Sequence, residues 1–267
     1  MRSTSPSTAR RRGLHLAGLC LVVLTAFSAF AVAAGAGSAG PARTRAGLTV
    51  LAASSLTDVF PKIDPANRYS FGGSDVLAAQ IEQGAPADVF AAASPKYPEQ
   101  LFQKGLVLKP VVFATNRLVL VTPTSNPAGI RTVYDLCKPG VKIDVGDKAV
   151  PIGSYTRQIL TNLGLACALA NVVSNEQNVR DILTKVSLGE VDVGFVYVTD
   201  AKTVPGKVRT IFLPGWAQPH VKYEIAVLKS SPSQAAAAAF VKKVLSRRGQ
   251  KLLAAAGFGA PKGTVRK

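Results

Sequence analysis

The sequence predicts an α/β protein built as two lobes with a ligand cleft between them. Three observations carry this. Short, continuously apolar runs alternate with longer helical runs from Gly47 onward, the pattern of a parallel or mixed sheet covered by helices. Two strong strand signals, RLVLVTP ending at Pro123 and VKYEIAVLK ending at Lys229, bracket a block with strands and helices of its own. The alanine-rich segment from Ser233 to Gly257 then returns as helix, and packing it on the first half makes the chain cross between lobes twice. The expected boundaries are residues 47–116 with 228–267 for lobe 1, and 117–227 for lobe 2. A single doubly wound domain is the alternative.

The N-terminus stands apart from the fold. Arg2, Arg10, Arg11 and Arg12 precede an apolar run from Leu16 to Ala34, which fades into the small residues AVAAGAGSAG. That order describes a secretory signal peptide over residues 1–36, cut between Ala34 and Ala39. The run is close to a membrane span in length, so an uncleaved anchor is the other option. Cys20 follows Leu19 rather than a small residue, which argues against lipid attachment there. The protein is therefore expected outside the cytoplasm, periplasmic or extracellular and associated with the membrane by one of these routes.

Of three cysteines, removal of the signal leaves Cys137 and Cys167. Two cysteines in an oxidising compartment are either a disulfide or two separate thiols. The net charge is +17, and losing four arginines of the signal leaves 17 − 4 = +13. Such a charge invites nucleic acid, but the basic residues are scattered and aromatics are few, so no nucleic-acid partner is expected.

The elements follow in order. LTVLAAS and ADVFAAA read as buried strands because they do not alternate, and DVLAAQIEQG between them is a helix stopped by Gly84. After RLVLVTP come the strand VKIDVGD, the helix SYTRQILTNLG, the helix NVRDILTKVSLG and the strand VDVGFVYV. Nothing suggests an oligomer, and a monomer is the expectation.

Candidate chemistry sits where strands meet helices. A strand runs into a serine that opens a helix twice, in LTVLAASSLTDVF and in YSFGGSDVLAAQI. Each unit offers a hydroxyl and unpaired backbone N–H groups at the positive end of a helix dipole, a ready site for a small anion. Serine is also an ordinary N-cap, and Ser55 with Asp58 three residues on resembles a capping box. Ser74 follows Gly72 and Gly73, which let a ligand approach the backbone. In the second half, Ile152 lies at the mouth of a helix, Val179 in the first turn of another, and Tyr197 at the C-terminal end of an apolar strand, the edge where α/β sheets bind ligands.

LTVLAASSLTDVF, GGSDVLAAQIEQGAPADVFAAAS and GFVYVTDA together resemble the molybdate-binding proteins of bacterial ABC importers, within the type II periplasmic-binding-protein fold. The resemblance covers about Gly47 to Gly259. It implies an oxyanion, molybdate or tungstate, held by two serines, two backbone amides and a tyrosine hydroxyl, which fall on Ser55, Ser74, Ile152, Val179 and Tyr197. Ser54 is a possible additional ligand, because the first serine could shift by one. It also implies an ABC permease as partner, no cofactor, and no enzymatic activity. A cage made only of donors favours a fully deprotonated dianion, because a protonated oxygen would bury an unpaired O–H. Sulfate or another small anion on the same fold is the alternative ligand.

A serine hydrolase is disfavoured: there is no G-x-S-x-G elbow, and the histidines are His15, in the signal, and His220. One histidine and two distant cysteines in the mature chain make no metal site.

Overall fold

The computed structural model describes residues 47–261, so the signal peptide and its cleavage region lie outside the described residues. Two five-stranded sheets carry the chain. The first has the order β2-β1-β3-β10-β4, formed by Arg68–Gly72, Thr49–Ala53, Val89–Ala92, Val221–Val227 and Val111–Asn116. The second has the order β7-β6-β8-β5-β9, formed by Val172–Glu176, Ile143–Gly146, Val193–Tyr197, Leu118–Pro123 and Val208–Phe212.

Both sheets follow one plan: three parallel strands, then an antiparallel one (β10 or β5), then an edge strand antiparallel to that. The continuous apolar runs are explained by burial on both faces. In β1 and β3, Val50, Ala52, Val89 and Ala91 face one core cluster, while Leu51, Phe90 and Ala92 face another.

The chain leaves the first sheet after Asn116 and enters the second at Leu118, so the first crossing is the single residue Arg117. The second crossing differs from expectation. Val221–Val227 was assigned by sequence to lobe 2, but it pairs with β3 and β4 and lies inside the first sheet. The return therefore falls between Phe212 and Val221. An apolar strand reads alike in either sheet, and only its pairing partners decide.

The expected C-terminal helix is two helices, α7 (Gln234–Leu245) and α8 (Arg247–Ala256). Ser246 breaks them apart in extended conformation, and its hydroxyl accepts from the Gly249 N–H at 3.1 Å as the cap of α8. Helix α7 packs on β10 and α8 on α1 (Phe60–Ile63), so both cover the first lobe. In the second lobe Cys137 and Cys167 are joined as a disulfide, Cα to Cα 5.4 Å, tying two 3₁₀ turns together.

Candidate oxyanion site

The carboxyl ends of the six parallel strands, three per lobe, face one pocket. It is lined by Ala53, Ser54, Ser55, Gly72, Gly73, Ser74 and Ala93 from the first lobe and Val150, Pro151, Ile152, Asn178, Val179 and Tyr197 from the second. No charged side chain lines it.

All five sequence-predicted residues, and Ser54, are brought together here. Ser55 leaves β1 in a 3₁₀ turn, Ser54–Leu56, rather than in the full helix expected from LTVLAASSLTDVF. Its hydroxyl makes no cap. Ser55 Oγ lies 2.8 Å from the Tyr223 hydroxyl, and Asp58 pairs with Arg180, so the capping-box resemblance is not realised. Ser74 opens α2 (Ser74–Glu82) without capping it either, and its Oγ accepts from the Ala93 N–H at 3.1 Å. That bond uses an acceptor lone pair and leaves the hydroxyl hydrogen for the pocket.

Backbone donors come from helix starts. In α4 (Pro151–Asn162) Pro151 has no N–H and the first helical bond is Ser154 N–H to Val150 O, so the Ile152 amide has no acceptor among the described residues. Gly153 is needed to bring this turn against β6: a Cβ there would stand 2.2 Å from the Gly146 carbonyl oxygen. In α5 (Val179–Leu188) the Asn178 side chain accepts from the Arg180 and Asp181 amides at 2.9 and 3.2 Å, leaving the Val179 amide free of protein acceptors among the described residues. Sequence reading noted Asn178 as the start of the helix, not as the cap that selects which amide stays free.

Tyr197 ends β8 with no solvent exposure, and its hydroxyl oxygen has no hydrogen-bond partner. Burial, first, and the neighbouring Tyr223 raise its pKa well above the ordinary value, so it stays a protonated donor. An unpartnered buried hydroxyl costs about 1–3 kcal/mol, a cost removed by an acceptor in the pocket. Asp75, beside Ser74, stays off the lining, and burial raises its carboxyl pKa. His220 is exposed and is not among the residues that line the pocket.

Residues 48–259 match the model of the bacterial extracellular solute-binding proteins. The chain belongs to that family. As a solute-binding protein it is 38% identical to the molybdate-binding protein ModA of Mycobacterium tuberculosis strain H37Rv, over 84% of this chain and 88% of that one. Among solved structures it is similar to the periplasmic molybdate-binding protein of Azotobacter vinelandii, with a TM-score of 0.71, 26% identity, and coverage of 80% of this chain and 100% of that one. The sulfate-binding protein SubI of M. tuberculosis shares the fold at a TM-score of 0.70 and 20% identity, covering 81% and 88%. The fold alone therefore does not name the anion bound by this solute-binding protein.

Tyr223, Asn116 and Arg180 were not singled out by sequence, and Asp58 was noted only as a capping-box partner of Ser55. Tyr223 looks like any strand aromatic in VKYEIAV, and no local spacing brings it to Ser55, 168 residues away.

Proposed function

We propose that this chain is an exported binding protein that captures molybdate, or tungstate, in the interlobe cleft and delivers it to an ABC permease. The ligand's oxygens accept from the hydroxyls of Ser55, Ser74 and Tyr197 and the amides of Ile152 and Val179, with Ser54 beside them. The observation that carries the reading is the lining: neutral donors from both lobes, with no charged side chain. A positive field from the starts of α2, α4 and α5 balances the dianion without a lysine or arginine.

The protein binds and releases its ligand without transforming it and needs no cofactor. Among the described residues no group of histidine, cysteine and carboxylate side chains could hold a metal ion. No described helix is long and apolar enough to cross a membrane. It acts as a monomer.

A thermal-shift panel of molybdate, tungstate, sulfate and phosphate, followed by calorimetry, tests the reading. Molybdate and tungstate raise the melting temperature strongly, while phosphate does not. A response to sulfate with none to molybdate would transfer the site to the alternative ligand.

A further inference from the structure

A chain of hydrogen bonds runs behind the pocket, along the two segments that cross between the lobes. Asn116 is the last residue of β4, next to the crossing at Arg117, and Tyr223 lies in β10 just after the return. The Arg117 N–H donates to Asn116 Oδ1 at 2.9 Å. A backbone N–H can only donate, so the amide oxygen must face it and Nδ2 must face the other way. Nδ2 then donates to Thr199 Oγ1 at 2.9 Å and, over a longer 3.4 Å, to the Tyr223 oxygen.

Tyr223 is fully buried, and its hydroxyl meets Asn116 Nδ2 and Ser55 Oγ. Nδ2 has no lone pair to offer, so the single Tyr223 hydrogen has one acceptor among the described residues, Ser55 Oγ at 2.8 Å. With that bond made, Ser55 has used an acceptor position and its own hydrogen is free to turn to the pocket. Were Ser55 to donate to Tyr223 instead, the phenolic hydrogen would be buried without an acceptor.

We propose that Tyr223, oriented by Asn116, is a positioning residue that fixes the Ser55 hydroxyl as a donor to the bound anion and thereby favours an anion without hydrogens over a hydrogen-bearing one such as hydrogen phosphate. The inference rests on the oxyanion reading above. Ser74 is set the same way by the Ala93 amide, so both serines keep their hydrogens for the ligand.

Tyr223→Phe removes the hydroxyl and keeps the ring that packs at 6.0 Å from Phe113 and 5.3 Å from Phe258. Wild type, Tyr223→Phe, Ser55→Ala and the double variant are titrated calorimetrically at neutral pH with molybdate, sulfate and phosphate. Molybdate affinity falls about 5- to 30-fold in Tyr223→Phe, and its preference over phosphate narrows, because the Ser55 hydrogen is no longer held toward the ligand. In the Ser55→Ala background the same change has less than about a twofold effect, since the two residues act through one bond. Equal losses in both backgrounds, or parallel losses for molybdate and phosphate, overturn the inference and leave Tyr223 a packing residue. If Tyr223→Phe does not fold, Asn116→Ala replaces it in the cycle with the same expected pattern. A wild type that binds sulfate and not molybdate overturns the proposed ligand, and the cycle is then read with sulfate. A wild type that binds none of the three anions overturns both.

Discussion

Arg180 Nη2 lies 2.5 Å from Asp58 Oδ2, an ion pair that joins the second lobe to the first directly beside the pocket. On its inner side Arg180 Nε is 2.7 Å from Asp200, whose carboxyl is entirely buried. The two halves of this clamp differ in worth. Asp58 is half exposed, so Asp58→Ala costs below about 1 kcal/mol and shows mainly as a release of the anion faster by about 2- to 5-fold in stopped-flow measurements. Arg180→Ala leaves Asp200, whose pKa burial already raises to about 6, without its cation in the interior, and chemical denaturation at pH 7 should register a loss of at most about 3–5 kcal/mol because the carboxyl can take up a proton. Similar losses for the two variants would show that the buried arm is not the stronger one.

Tyr197→Phe separates binding from folding. The hydroxyl makes no bond among the described residues, so its removal leaves the melting temperature of the anion-free protein unchanged or slightly higher. Anion affinity should fall by the equivalent of about 1–3 kcal/mol, because a charged acceptor loses a donor. A calorimetric dissociation constant equal to that of the wild type would remove Tyr197 from the cage.

Gly73→Ala tests how closely the lobes must approach. Gly73 has φ −64° and ψ 137°, which alanine adopts without strain, yet a Cβ would stand 2.3 Å from the Gln177 carbonyl oxygen of the other lobe. The methyl group therefore props the cleft open. Affinity should drop about 5- to 150-fold, the equivalent of 1–3 kcal/mol of overpacking, while the anion-free protein keeps its stability. Small-angle scattering with and without molybdate checks the cause: the variant should compact less than the wild type.

Asp144 makes stability depend on pH. It sits in β6 with no exposure, beside Glu176. Burial, aided by the charge of Glu176, raises its pKa to about 7. A carboxyl whose pKa is raised in the folded state contributes stability that is present below its unfolded pKa near 4 and lost as pH rises through about 7. Asp144→Asn, which cannot ionise, should thus gain on the wild type between pH 5 and pH 8, by roughly 4 kcal/mol at most. Melting curves across that range would show the two lines converging at low pH, and parallel lines would rule out titration of Asp144.

Much of this was legible in the chain. Apolar runs such as ADVFAAA identify strands buried on both faces, because a sheet covered by helices leaves no polar side. Serines, glycines and a proline placed where strands end mark Ser55, Ser74 and Ile152 as candidates, because those residue types leave hydroxyls or amides free at a helix start. The misreadings have local causes. Val221–Val227 went to the wrong lobe because hydrophobic pattern states that a strand is buried and not which neighbours it pairs with. The C-terminal helix was read as continuous because Ser246 is a tolerable helix residue, and only its extended backbone makes it a cap. Ser55 followed by Asp58 resembled a capping box because that motif is local, whereas both side chains are claimed by residues more than a hundred positions away.

The sequence by itself determined the α/β class, the run of strands and helices, and a set of neutral donors at strand ends, since these depend on periodicity and on chemistry within a few residues. Tertiary structure alone decided which way those donors point. Tyr223 and Ser55, Arg180 and Asp58, and Gly73 and Gln177 meet across the fold, and hydrogen-bond direction and lobe spacing are set by such distant partners rather than by any neighbour in the chain.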